Sequence, residues 1–203
     1  MTAPGRGAGA RFIAGAAEPA HFPALPYPEI AFAGRSNVGK SSLLNRFVGQ
    51  RGLARVSKTP GRTQQINFFA LGDRLTVVDL PGYGFARVPA AVQTQWRVLV
   101  EAYLSGRPNL CGVVVLIDLR RGIEDDDWLL IDYLGRHHIP AILAATKADK
   151  LSYGERQRRG AALSAAGRGQ LQAVVLTSAH SGEGVQRLRH EVDAALQHRE
   201  ARG

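Results

Sequence analysis

The chain of 203 residues contains one cysteine, Cys111, which rules out an intrachain disulfide and fits a reducing compartment. The thiol itself reads as a small buried strand residue. No apolar run approaches the roughly 20 residues that span a bilayer. The longest, 113–117, sits inside a strand pattern. Arg6 and Arg11 lie near the start without the apolar stretch of a signal peptide, so a cytoplasmic chain with no membrane partner is expected. Acidic residues are missing from 30–72, whereas Arg35, Lys40, Arg46, Arg51, Arg55, Lys58 and Arg62 all fall there. With a formal net charge of +9, this stretch reads either as a surface for a polyanion such as RNA or as a solvated cationic face.

What is present is ordinary for a globular protein, 45% hydrophobic and 21% charged, and the length suits one domain. Residues 1–27 are rich in Ala, Gly and Pro and read as a mobile tail that becomes ordered near Pro26 to Pro28, leaving 28–200 as the domain. Short apolar runs at 30–33, 75–80, 112–118, 141–146 and 173–177 predict strands covered on both faces. Helical patterns fall between them at about 39–48, 90–105, 124–138, 153–167 and 183–198. The segments 66–71 and 74–80, joined through Gly72 and Asp73, predict a hairpin with an antiparallel edge strand. The expected fold is a three-layer α/β domain with a mostly parallel six-stranded sheet, and its ligand should lie at the carboxyl ends of the strands.

Gly34, Arg35, Ser36, Asn37, Val38, Gly39, Lys40 and Ser41 form a complete P-loop between a predicted strand and a predicted helix. In that setting backbone N–H groups and the helix N-terminus face a phosphate. Lys40 adds a positive charge, and the Ser41 hydroxyl is a candidate Mg²⁺ ligand. The partner motifs follow in order along the chain. Asp79, Leu80, Pro81 and Gly82 close the strand after the hairpin turn, with Asp79 placed to hold Mg²⁺ through a water and the Gly82 N–H to meet a γ-phosphate. Thr146, Lys147, Ala148 and Asp149 follow another strand about 100 residues after the P-loop. There Asp149 can accept from N1–H and the 2-amino group of guanine, which adenine lacks, and Lys147 can lay its stem along the base. Thr177, Ser178 and Ala179 end the last strand, where Ala179 offers guanine O6 a backbone N–H. These motifs read as a GTP site, with ATP disfavoured by Asp149. A switch threonine is expected in the basic linker, where Thr59 and Thr63 both have suitable reach.

Taken together the motifs resemble the bacterial EngB GTPases, also called YihA or YsxC, in the translation-factor-related class of P-loop GTPases. The resemblance runs from about Pro28 to the last helix and is carried by 34–41, by Lys58-Thr-Pro-Gly-Arg-Thr63 with Gln64, by 79–84, by Asp118-Leu-Arg-Arg-Gly122 and by 146–150. Thr146 departs from the Asn usual in GTPases at large but agrees with this family. The resemblance implies Mg²⁺-dependent GTP hydrolysis, a role in assembling the large ribosomal subunit and a requirement for normal division and septation. It selects Thr63, beside Ser41, as the magnesium ligand and extends the nucleotide contacts to Gly61, Arg62, Gln64 and Gln65. Lys40, Thr63 and Gly82 are thereby the residues expected to carry catalysis. The expected partner is the large ribosomal subunit or its precursor, bound by a monomer, and a direct action on a division complex is the alternative.

Two positions modify that expectation. Tyr83 stands where Ras-like enzymes place a water-orienting glutamine, so slow intrinsic turnover is expected, with an activating partner or cation to complete the site. Asn37 reads either as a ligand for an activating K⁺, by resemblance to potassium-stimulated GTPases, or as a residue chosen for loop geometry.

Overall fold

The computed structural model describes residues 9–54, 65–84, 90–167 and 169–200. Its strands are β1 (Ala10–Ala16), β2 (Glu29–Gly34), β3 (Ile66–Leu71), β4 (Leu75–Asp79), β5 (Leu110–Asp118), β6 (Ala141–Thr146) and β7 (Ala173–Leu176). Five α-helices join them: α1 (Lys40–Val48), α2 (Ala90–Gly106), α3 (Asp125–Arg136), α4 (Tyr153–Ala166) and α5 (Val185–Glu200). The strands form one sheet in the order β1-β3-β4-β2-β5-β6-β7. β4, β2, β5, β6 and β7 are parallel neighbours, while β3 runs antiparallel to both β1 and β4.

Alternation along the strands sorts side chains into two apolar layers. Ile30 and Phe32 of β2, with Val114 and Leu116 of β5, face Leu43, Leu44 and Phe47 of α1 and Leu188 and Val192 of α5. Ala31, Ala33, Val113, Val115 and Ile117 turn the other way, toward Leu99 and Tyr103 of α2, Ile131 and Leu134 of α3 and Leu163 of α4. The central strands are buried on both faces, which is why they read as unbroken apolar runs. The expected three-layer fold is therefore present, with a single antiparallel strand in a mostly parallel sheet.

The N-terminal segment departs from the expectation of a mobile tail. Ala10 to Ala16 form a seventh strand, so the sheet has seven strands rather than six, and the antiparallel β3 lies one place in from the edge. The pairing shifts register between Phe12 and Ala14, and the Phe12 ring meets Phe69 edge-on with centroids 5.7 Å apart. This strand was hidden in the sequence because four of its seven residues are Ala or Gly, which carry little strand propensity and dilute the signal of Phe12 and Ile13. Gly15 leaves room for the end of the Gln65 side chain. A Cβ at Gly15 would lie 2.6 Å from the Gln65 side-chain nitrogen.

The chain is then tied down well before Pro26. Phe22 packs on Phe68 and Tyr103 at 6.0 and 5.9 Å, and Asn109 Nδ2 donates to Leu25 O at 2.6 Å. Beneath this segment Glu29, fully buried, pairs with Arg107 and accepts from the Tyr103 hydroxyl at 2.9 Å. Arg107 also donates to Pro23 O at 3.0 Å, so the buried carboxylate is matched in charge and hydrogen bonds. This network lies at the amino end of β2 and leaves the opposite, carboxyl end of the sheet to the P-loop.

Candidate functional site

β2 ends at Gly34, where the chain passes so close to β5 that a Cβ would lie 2.9 Å from Leu116 O. The loop then turns through Asn37 at φ 64° and Gly39 at φ 105° before α1 begins at Lys40. Gly39 is the residue for that second turn because it has no Cβ to clash. Lys40 opens α1, and its ammonium pairs with the Asp79 carboxylate at the end of β4. The P-loop lysine and the candidate metal-holding aspartate are thus in direct contact, and Ser41 stands next to Lys40 in the same first turn.

The segment after Asp79 lies against the P-loop. Leu80 N donates to Phe32 O at 3.0 Å, and Tyr83 and the loop exchange bonds: Ser36 N to Tyr83 O at 3.0 Å and Tyr83 N to Gly34 O at 3.4 Å. Pro81 O accepts from Trp96 Nε1 at 3.1 Å. Gly82 is held beside Ser36, whose Oγ would lie 3.0 Å from a Cβ on that glycine. The Tyr83 side chain turns inward, 7% exposed, and its hydroxyl donates to Asp127 Oδ1 at 2.8 Å. Burial, reinforced by Asp127, pushes the phenol well above its usual pKa, so it remains a neutral donor. Burial also raises the Asp127 carboxyl. The phenol is therefore committed to Asp127 in the interior.

The base-recognition motifs sit at the ends of β6 and β7. Thr146 Oγ1 is buried, 2.7 Å from Val38 O and 2.9 Å from Ile117 O, which links the β6 end to both the P-loop and β5. Lys147 takes a left-handed conformation, φ 59°, and its ammonium donates to Asn37 O at 2.9 Å and pairs with Asp118 Oδ2 at 3.1 Å. Arg120 grips the same carboxylate through Nε at 2.9 Å and Nη2 at 2.7 Å. Those hydrogen bonds, with Lys147, hold Asp118 far below the usual carboxylate range. Asp149 Oδ1 accepts from Ser178 Oγ at 2.7 Å, and this bond lowers its pKa. Ala148 N donates to Thr177 O at 3.1 Å, joining the β6 and β7 loops. Ala179 is partly buried against the α1–α5 layer. The turn back toward α5 needs Gly184, at φ 74°, because a Cβ there would sit 1.9 Å from Leu176 O.

The structure thus brings 34–41, 79–82, 146–149 and 177–179 together at the carboxyl ends of β2, β4, β6 and β7, with Lys40 on Asp79 and Lys147 on the P-loop. Gln65 precedes β3, bonds Asn67 Oδ1 at 3.1 Å and lies against Gly15 at the sheet edge. Gly61, Arg62, Thr63 and Gln64 lie outside the described residues, as does Thr59. Sequence reasoning did not single out Asp127, or Asp118 as the partner of Lys147. Asp118 had a signal in the 118–122 motif, whereas Asp127 is one acid among several and only the fold marks it. Among the described residues no helix is long and apolar enough to cross a membrane.

The segment 29–147 matches the family described as 50S ribosome-binding GTPase. The chain is 51% identical over 152 residues to "Probable GTP-binding protein EngB" of Geobacter metallireducens, covering 75% of this chain and 74% of the other. It is 47% identical over 185 residues to the protein of the same name from Citrifermentans bemidjiense, covering 91% and 86%. Among solved structures, a probable GTP-binding protein engB superposes with a TM-score of 0.69 at 27% identity, covering 84% of this chain and 99% of that one.

Proposed function

The chain belongs to the EngB family of GTP-binding proteins and is a P-loop GTPase, and from that premise we propose that it is a slow, RNA-associated switch in assembly of the large ribosomal subunit. The observation that carries the nucleotide half of this reading is the bond from Ser178 Oγ to Asp149 Oδ1, 2.7 Å. It holds a charged acceptor in one orientation, with Asp149 Oδ2 directed to Lys150 at 3.4 Å, and a guanine edge with two donors satisfies such a carboxylate where adenine does not. Hydrolysis is expected to be slow on its own, because the side chain after Gly82 is committed to Asp127 and no described residue replaces it.

Mg²⁺ suits the donors present. The Ser41 hydroxyl and Asp79 carboxylate are hard oxygen donors, and among the described residues no group of three or more His, Cys, Asp or Glu is placed to hold a metal ion. A metal that keeps several waters and binds through one or two protein oxygens plus substrate phosphates needs no such cluster. Ser41, with Thr63, would ligate it directly, and the ion would neutralise charge on the phosphates. Asn37 would hold an activating K⁺ through its side chain, since its carbonyl is engaged by Lys147. Turnover in KCl against NaCl at equal ionic strength tests that ligand, and identical rates would remove it.

The ribosomal half rests on the family description and on the acid-free, cationic stretch 30–72. In this reading GTP orders the basic linker, a cytoplasmic monomer docks on a pre-ribosomal particle, and hydrolysis releases it. Defects in division and septation follow from poor ribosome supply. Sedimentation with large subunits in GTP-analogue, GDP and nucleotide-free conditions tests the switch, with Lys40→Ala as control. The analogue should give the most salt-sensitive association. Equal association in all three states would overturn it.

A further inference from the structure

The first turn of α3 anchors the P-loop and the segment after Asp79 together. Asp127, 1% exposed, accepts from the Tyr83 hydroxyl through Oδ1 at 2.8 Å and from Glu124 N through Oδ2 at 2.9 Å. The second bond is half of a capping box, so Asp127 is fixed by the helix it starts. From the P-loop, Arg35 Nη1 reaches Glu124 Oε2 at 3.0 Å and Asp126 Oδ2 at 3.2 Å. Its guanidinium crosses Gly84, where φ is 75° and a Cβ would lie 2.9 Å from Arg35 Cζ. Gly82 is therefore followed directly by one tie to that helix turn and lies against the loop that carries the other. It is also flanked by Pro81, whose carbonyl accepts from Trp96, and by the backbone exchange between Tyr83 and the P-loop.

We propose that Tyr83 is a positioning residue for the γ-phosphate contact: its bond to Asp127 fixes the backbone at Gly82, which packs against Ser36, so that the chain distinguishes GTP from GDP. The proposal rests on reading this end of the sheet as a GTP site and goes beyond it by assigning the discrimination to a side chain that touches neither nucleotide. The physical argument is one of preorganisation. A diphosphate leaves Gly82 uncontacted, so loosening 82–84 changes little for GDP. A triphosphate must order that segment, and each anchor already in place lowers the entropic cost of doing so. The buried bond is well suited to this because the phenol is a neutral donor and the carboxylate has a second, independent fixture.

The test is the ratio of affinities for a non-hydrolysable GTP analogue and for GDP, measured by titration calorimetry on the full chain. Tyr83→Phe keeps the ring against Trp96, 5.9 Å away, and removes only the hydroxyl. It should weaken analogue binding about 5- to 10-fold, the range of one hydrogen bond, while GDP affinity changes less than twofold. Asp127→Ala, which removes the acceptor outright, should shift the ratio in the same direction. Adding Tyr83→Phe to Asp127→Ala should then have little further effect, since both remove one bond. Equal losses for the two nucleotides, or effects that add fully in the double variant, would overturn the latch and leave the GTP site standing. A wild-type chain that binds neither nucleotide would overturn the site and the latch with it.

Discussion

The Lys147 ammonium donates to the Asn37 carbonyl across 2.9 Å, which fastens the base-recognition loop to the P-loop although 110 residues separate them in the chain. Asp118, 3.1 Å away, supplies the opposing charge. The loop after β6 and the P-loop are therefore tied directly to each other. Lys147→Ala should weaken both GTP and GDP by similar factors, on the order of 10-fold, since it removes a tie and the base-covering stem common to both. Fluorescence titration with labelled nucleotides would show this as parallel losses.

Asp149→Asn should change which base is bound. An amide presents a donor where guanine N1–H and the 2-amino group also present donors, so GTP affinity should fall at least about 100-fold, two hydrogen bonds to a charged group being worth ~1.5–3 kcal/mol each. Xanthine carries an oxygen in place of the 2-amino group and should gain. Competition between GTP and xanthosine triphosphate measures the reversal.

Thr146→Val is close to isosteric and leaves Val38 O and Ile117 O without the hydroxyl between them. A loss of about 1–3 kcal/mol in folding stability is expected for stranding buried acceptors, together with faster GDP release. Thermal denaturation and stopped-flow displacement would record the two effects.

Acid should erase the contribution of Asp118. Its pKa is depressed in the folded chain, so its stabilisation is fully present above the unfolded value of about 3.9 and disappears as pH falls through the folded value. Asp118→Asn should therefore be less stable than wild type at neutral pH, with a gap that narrows only below about pH 4. Asp127 has the opposite sign: its raised pKa favours the folded state on the acid side and loses that advantage as pH rises through the folded value. Denaturant melts of the two single variants across pH 3–7 would separate these slopes.

The sequence made the site legible wherever a backbone geometry demands a residue type. Gly34 and Gly39 were required by close approach and a positive φ, and Asp149 and Lys147 stood at the end of an apolar strand. Helices α1 to α5 fell within a few residues of their predicted spans, because covered strands and amphipathic helices alternate with clear periods. What was not legible depends on long-range pairing. The partner of Tyr83 lies 44 residues away among a run of acids, and nothing local distinguishes Asp127 from Asp125 or Asp126. β1 was invisible for a related reason. Phe12 and Ile13 are its strand formers, and the Ala and Gly around them pair because the edge of β3 lies beside them.

That first strand has a consequence for solubility. Ile66-Asn-Phe-Phe-Ala-Leu71 is apolar, uncharged and free of proline, and its outer hydrogen-bonding edge is occupied by Ala10 to Ala16. Without those seven residues the same edge would be an open template for pairing with the edge of another molecule. The segment thus acts as an in-chain guard for β3 and passes the open edge to a short strand that carries the charge of Arg11.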